Sequence, residues 1–425
     1  MTRWCLIGGT TARTAAILFA FTFSELHAAD WIQWAGPNGD FTVNVTGLAE
    51  LWPEGGPKQI WKRPLGDGYS SVLSKGDRLF TMYRDKEEEE VVVALDAGTG
   101  KTLWEHRYSR KLWPDMTKEF GEGPNATPAI IGDRIVSVGV SGNLRCLNLD
   151  SGKLLWEHDL SAEYPRQKRR EEYGYSISPL VYRDRVLVAV GGDKHGVIAY
   201  NPKDGSVVWA SEPTRISYAQ PVLAKLSGRD QYIFFSPTEI IALDPNTGKF
   251  LWRHPVVCDT ENNLTPALPC DDTHVWAASQ FTSGGGRLLQ LSPGESTSAV
   301  SELWYLPKLQ ATHSTFIRLG EYVYGSIGGN NLSFFAAFDW RTGKIAWRHR
   351  GLHKALFIYA DEKIIALNES GELVLARISP SEIKVLATAQ VTEGINWTVP
   401  TLVSKTLYVR DRKNIMALDL GRQSP

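Results

Sequence analysis

Downstream of Trp61 the chain alternates short runs of β-branched and aliphatic residues with clusters of Gly, Asp, Asn and Pro. The apolar runs are too short for helices, and their punctuation is that of strands joined by tight turns. In "PAIIGDRIVSVG", Pro128 to Gly139, two such runs flank Gly132 and Asp133, which reverse the chain as a hairpin. In "ALDPNTGKFLWRH", Ala242 to His254, a buried strand runs into the turn "DPNTGK" and leaves it as a second strand. Asp244 can accept from the backbone two residues on, and Gly248 can take a positive φ at no steric cost. Hairpin and turn together predict one four-stranded antiparallel meander.

That unit recurs. "ALDAGTGKTLWEH" begins at Ala94, "CLNLDSGKLLWEH" at Cys146, "AYNPKDGSVVWAS" at Ala199 and "AFDWRTGKIAWRH" at Ala337. Fourth-strand tryptophans fall at Trp61, Trp104, Trp156, Trp209, Trp252, Trp304 and Trp347, spaced 43, 52, 53, 43, 52 and 43 residues apart. Units of this length with four strands each predict β-propeller blades. A further unit, Lys354 to Gln390, lacks the tryptophan, and the last, Trp397 to Leu420, stops after three strands. "PKQIWKRPL", Pro57 to Leu65, supplies the missing strand from the other end of the chain. The expectation is an all-β, eight-bladed propeller over residues 58–425, closed by its N-terminal strand, which removes exposed sheet edges. Residues 30–57 read as a lead-in.

Residues 1–29 have the form of a secretory signal peptide: Arg3, an apolar run from Thr14 to Phe23, and the small-residue end "LHAAD". No other segment approaches spanning length, so a periplasmic or secreted protein without a transmembrane segment in its mature chain is expected. The charge balance, 46 basic against 47 acidic residues, leaves no footprint for nucleic acid. Of the four cysteines, Cys258 and Cys270 could pair, while Cys146 stands where other copies carry Ala and reads as a core residue. His106, His158, His254 and His349 each follow a repeat tryptophan by two residues. On separate blades, at the outer rim, their rings lie too far apart to share a metal ion.

The repeat resembles that of the pyrroloquinoline quinone (PQQ) enzyme family, whose blades end in A-x-D-x-x-T-G-x-x-x-W segments. "DWIQWAGPNGDF", Asp30 to Phe41, resembles the lead-in of secreted members. The resemblance implies the propeller fold and leaves two activities open, since similar repeats build the β-propeller outer-membrane assembly factor and other proteins without a cofactor. Quinoprotein dehydrogenases of the family carry a vicinal disulfide and a calcium held by Glu, Asn and Asp. Here no two cysteines are adjacent, and Glu261, Asn263, Asp67 and Glu393 are the candidates for oxygen ligands near the mouth. The favoured expectation is a binding or scaffold module, with no catalytic residue, cofactor or metal, taking a protein or small polar ligand at the channel face. A PQQ- and calcium-dependent alcohol or sugar dehydrogenase is the alternative.

Topology places any site where first strands enter the central channel. The residues there are Asn125 and Thr127, Tyr175 and Ser178, Tyr218 and Gln220, Asn263 and Thr265, His313 and Thr315, and Asn396 and Thr398. This predicts a polar ring at one rim, under the two longest insertions, Arg107–Gly123 and Asp159–Gly174. A water-filled channel would need the same polar lining.

Overall fold

The computed structural model describes Met1 and residues 30–422, apart from 87, 114–115, 166–172, 257–261, 281–283, 293, 295–297 and 330–331. The expected signal segment and Cys258 lie outside the described residues. Among those described, the strands form eight antiparallel meanders arranged as an eight-bladed propeller. Blade 1 runs from Leu73 to Ser109, blade 2 from Ala129 to Asp159, and blade 3 from Leu180 to Ala210. Blade 4 covers Val222–Pro255, blade 5 Leu268–Leu306, blade 6 Ala311–His349 and blade 7 Leu356–Gln390. Blade 8 takes three strands from Thr401–Asp419 and its outermost from Lys58–Pro64, paired antiparallel with Asn414–Asp419.

Strand register explains the repeat. The tryptophan of the outer strand sits directly across from a small residue of the third: Ala94 from Trp104, Cys146 from Trp156, Ala199 from Trp209, Ala242 from Trp252 and Ala337 from Trp347. A bulge follows each pair on the way to the turn. Small residues there leave the indole free to lean onto the next blade. Cys146 is accordingly a buried core residue, and burial pushes its thiol up to about 12.

What the indole meets is the turn of that next blade. Trp61 Nε1 donates to Ala97 O at 2.9 Å, Trp104 to Leu149 O at 3.1 Å, Trp156 to Pro202 O at 2.9 Å, and Trp209 to Pro245 O at 3.2 Å. The turn's glycine lies flat under the same ring. A Cβ on Gly100 would stand 2.7 Å from Trp61, and one on Gly205 2.8 Å from Trp156. Both glycines also have positive φ, +69° and +77°. The turn is held open from within, as Asp244 accepts from Asn246 N at 2.7 Å.

Ring closure has its own fastening. Arg410 of blade 8 is fully buried and reaches into blade 1, donating to Ser70 O, Thr81 Oγ1, Met82 O and Gly66 O at 2.6–3.2 Å. A buried guanidinium is costly unless its donors are used, and here they tie the two chain ends together. Thr401 Oγ1 adds a bond to Val72 O at 2.6 Å.

The stretch ahead of residue 58 is built into the ring. Trp31 bridges to Ser74 in blade 1, Ile130 of blade 2 donates to Ile32 O at 2.8 Å, and Thr42–Val43 pair in parallel with Tyr359–Ala360 as a fifth strand of blade 7. Blade 7 has Ala387 at the tryptophan position, across from Leu375, and Trp52 of the lead-in packs into the same apolar cluster. Residues 30–57 therefore cross one end of the channel and close it.

Two stability tests follow. Gly132, at φ +59° with open space within 4 Å of where a Cβ would stand, and Gly205 separate backbone conformation from the indole contact. Gly132→Ala should cost about 1–2 kcal/mol from backbone alone, and Gly205→Ala a further ~1–3 kcal/mol from overpacking, in denaturant unfolding; equal losses would remove the indole from the account. Deleting Gln59–Pro64 should leave blade 8 open and give aggregation or a large fall in melting temperature, whereas an unchanged monomer would contradict closure by this strand.

Candidate functional site

Inner strands of blades 4 to 7, the segments that enter the inner strands of the other blades, and the lead-in enclose a central cavity of about 1130 Å³. Trp34, Asn38, Asp40 and Phe41 of the lead-in form its floor, so the channel is a pocket with one mouth. Its wall is largely apolar, with Val222, Leu264, Pro266, Leu268, Phe316, Leu356 and Val399 facing inward. The first long insertion folds over the mouth as expected and contributes Met116 and Phe120. The second contributes Tyr173, while 166–172 lie outside the described residues.

Aromatic rings dominate the mouth. Trp397 stacks on His313 at 4.3 Å between centroids and 18° between planes, and lies 5.3 Å from Tyr69 and 5.1 Å from Phe120. Phe120 continues to Tyr173 at 6.1 Å, which meets Tyr218 edge-on at 5.2 Å. Tyr69 fastens the insertion in place, its hydroxyl donating to Phe120 O at 2.6 Å.

The charges at the mouth neutralise one another. Glu369 accepts from Lys354 Nζ and Trp397 Nε1, both at 2.9 Å, and lies 3.6 Å from His353 Nε2. Burial pushes its carboxyl up, but the ammonium, the indole N–H and His353 together hold it below the usual carboxylate range. Burial, reinforced by the Lys354 charge, lowers His313 to about 4, so its ring is neutral near pH 7. Both His313 and Lys354 have positive φ, +30° and +44°, a strain kept where packing over-determines the backbone.

The polar ring anticipated at the rim divides in two. Asn125, Thr127, Tyr218, Gln220, His313 and Thr315 line the cavity. Tyr175, Ser178, Asn263, Thr265, Asn396 and Thr398 do not; their neighbours Ser176, Asn262, Leu264, Trp397 and Val399 face it instead. Successive side chains of an extended segment point to opposite sides, and six of the twelve positions have the wrong phase.

Many of the twelve are engaged in joining blades. Ser71 N–H donates to Thr127 Oγ1 at 3.0 Å, Thr127 N–H to Ser178 Oγ at 2.9 Å, and Ser178 N–H to Gln220 Oε1 at 2.8 Å. Across other seams Phe357 N–H donates to Thr315 Oγ1 at 3.2 Å, and Thr398 Oγ1 to Tyr69 O at 3.2 Å. Asn125 Nδ2 donates to Ser176 Oγ at 3.0 Å, and Asn263 Nδ2 to Ser236 O at 2.7 Å. Asn396 shapes its own loop, accepting from Thr392 Oγ1 at 2.8 Å; Tyr175 packs 5.7 Å from Trp113, and Thr265 is buried.

Of the expected oxygen ligands, the three among the described residues, Asp67, Asn263 and Glu393, are not brought together. Asp67 and Glu393 line a separate, adjoining pocket, where Arg412 clamps Asp67 with bonds of 2.6 and 3.0 Å. Burial raises the Asp67 carboxyl, but the guanidinium and backbone donors outweigh it and hold the group low. Asn263 is buried toward blade 4, and Glu261 lies outside the described residues. Among the described residues no group of three or more His, Cys, Asp or Glu is placed to hold a metal ion. These residues do not fit a calcium-bound quinone. The rim histidines have separate partners, His158 beside Glu163 at 2.9 Å and His254 beside Glu302 at 3.2 Å.

Sequence reasoning missed the rings that make the mouth: Tyr69, Phe120, Tyr173 and Trp397. Trp397 carried a signal, standing in "NWTVP" where the matching "NATP" and "NLTP" segments carry the smaller Ala126 and Leu264.

Fold and pocket together define a PQQ-repeat propeller with one mouth. A family model described as outer membrane protein assembly factor BamB matches residues 88–349, and the chain belongs to that family. BamB of Burkholderia pseudomallei is 25% identical over 325 residues, 72% of each chain. The quinoprotein alcohol dehydrogenase PedH of Pseudomonas putida is 30% identical over 179 residues, 39% of this chain. The chain spans only 26% of PedH and 31% of the Pseudomonas aeruginosa quinoprotein ethanol dehydrogenase. Two solved structures share the fold: BamB of Moraxella catarrhalis, with a TM-score of 0.59 at 17% identity over 85% of this chain and 99% of that one, and the Comamonas testosteroni quinohemoprotein alcohol dehydrogenase, with 0.61 at 12% over 93% and 81%. No described helix is long and apolar enough to cross a membrane.

The His313 environment sets a pH window. Its folded-state value, about 4, lies below the ordinary 6.5, so between these pH values the unfolded chain binds a proton that the folded chain refuses. The associated stability is fully present above pH 6.5 and is lost as pH falls through about 4. The His313 ring resonances should titrate near pH 4, and the melting temperature of wild type should fall relative to His313→Gln on acidification from pH 7; titration near 6.5 would contradict the stacked, buried ring.

Proposed function

We propose that this protein is a non-catalytic, protein-binding scaffold of the bacterial cell envelope that takes part in outer-membrane protein assembly. The observation that carries the reading is the family match over residues 88–349, supported by coverage of nearly three quarters of the Burkholderia BamB. The periplasmic location expected from residues 1–29 belongs to the same proposal. The pocket chemistry is consistent with it. The mouth's paired charges leave little to orient a reacting group, and a general acid or base would need a titratable side chain aimed at substrate. Glu369, the carboxylate nearest the mouth rings, is occupied by Lys354 and Trp397.

A quinoprotein dehydrogenase is the second reading, favoured by the similarity to PedH. It requires PQQ and a metal ion at a mouth whose oxygen donors are spent or dispersed.

Two measurements separate these. Calorimetric titration with PQQ at millimolar calcium should give no saturable heat, and alcohols or aldoses should not drive dye reduction; tight uptake with turnover would establish the dehydrogenase. A photo-crosslinking residue at Lys118, exposed on the insertion over the mouth, should capture an outer-membrane assembly component in the periplasm, while one at Lys384 on the outer strand of blade 7 should not. Equal capture from both positions would remove the mouth face from the scaffold reading.

A further inference from the structure

The cavity behind the mouth is larger than the mouth rings themselves require, and its chemistry restricts what can enter. We propose that it receives a short, uncharged polypeptide segment of the partner, inserted with aromatic or aliphatic side chains toward the lead-in floor. The inference rests on the scaffold reading and names how the partner is held.

Three observations carry it. The first is that the wall's polar groups are largely committed: Thr127, Gln220 and Thr315 accept inter-blade N–H bonds, and Asn125 is tied to Ser176. A sugar buried there would leave its hydroxyls short of partners, which is costly. Apolar side chains would meet Val222, Leu264, Leu268 and Leu356 and lose nothing. The second is electrical. Lys354 is bound to Glu369 and His313 is neutral near pH 7, so this cluster offers neither a spare cation for an anionic ligand nor a spare carboxylate for a cationic one, and Asp40 on the floor is turned to Thr42, accepting from its N–H at 2.9 Å and its hydroxyl at 2.7 Å. The third is the composition of the lip. Trp397, Tyr69, Phe120, Tyr173 and Tyr218 are rigid rings of the kind that concentrate binding energy in protein interfaces. Their spacing is fixed before binding: His313 stacks on Trp397 and Tyr69 holds Phe120, so little ordering remains when a segment enters.

The closed floor gives the segment a direction. Because the lead-in blocks the far end with Trp34 and Phe41, a chain cannot thread through. It must enter as a loop tip or a terminus.

The test uses the full chain and two blocked pentapeptides, Ac-Ala-Phe-Leu-Phe-Ala-NH2 and Ac-Ala-Ser-Gln-Ser-Ala-NH2, followed by ligand-observed saturation-transfer NMR and titration. The apolar peptide should bind saturably and the polar one should not. Trp397→Ala should weaken binding by about ten-fold, as for truncation of a hot-spot ring, while Trp397→Phe, which keeps a flat ring, should stay within about three-fold. Tyr173→Ser, which removes a lip ring without touching the Lys354–Glu369–Trp397 cluster, should also weaken binding if the alanine variant proves unstable. Absence of saturable binding by the apolar peptide, equal binding of both peptides, or displacement of the apolar peptide by cellotetraose would overturn the proposal. Crosslinking from Lys118 reports on the scaffold reading independently, so capture of a partner without peptide binding would sink this inference alone.

Discussion

Much of this molecule depends on one contact repeated at four consecutive seams, from Trp61 to Trp209: an outer-strand indole resting on the glycine turn of the next blade. A four-stranded sheet is not stable by itself with both faces apolar. Each blade must be covered by its neighbours, and the clamp sets their angle and spacing. At these four seams the ring donates its N–H to a turn carbonyl, so a buried polar atom is satisfied by the contact that buries it. The small residues across from Trp61, Trp104, Trp156 and Trp209 and the glycines beneath them are then two consequences of one steric demand.

Closing such a ring poses a different problem, because the last seam joins residues far apart in sequence. The strand Lys58–Pro64 supplies the hydrogen bonds, and Arg410 supplies the fastening. A guanidinium serves here because its planar fork reaches several carbonyls of blade 1 at once. The same chain end brings in residues 30–57, which turn a channel into a pocket. Blade 7, lacking its tryptophan, is the blade to which the lead-in adds a strand. Closure of the ring and closure of the channel are thus two results of where the N-terminal segment runs.

The pocket inherits its character from that architecture. Hydroxyl and amide groups at the inner-strand entrances are drawn into bonds between blades, since an unpaired backbone N–H at a seam would be costly. Binding surface is left to the aromatic rings that stand on loops above them. Lys354, Glu369 and Trp397 illustrate the division: their polar atoms satisfy one another, and what they present to the cavity is mainly a flat ring and methylene carbons.

The one-dimensional pattern determined the blade. Strand, turn and outer tryptophan are local in sequence, so "ALDPNTGKFLWRH" and its copies specified the unit, its number and the closing strand. Cys146 as a core residue was legible for the same reason: it stands in register with the alanines. The site was only half legible. Asn125 and His313 face the cavity, but Asn263 and Asn396 turn away, because a one-residue change of phase in an irregular entry segment reverses the side chain and no periodicity extends through it. Phe120 and Tyr173 come from insertions with no repeat to align them, and Trp34 and Phe41 reach the cavity floor from a segment that read only as a lead-in. Their meeting around Trp397 was decided by the tertiary structure alone, since the contacts join residues from different blades and from the N-terminal stretch, and no local pattern encodes a distance across the ring.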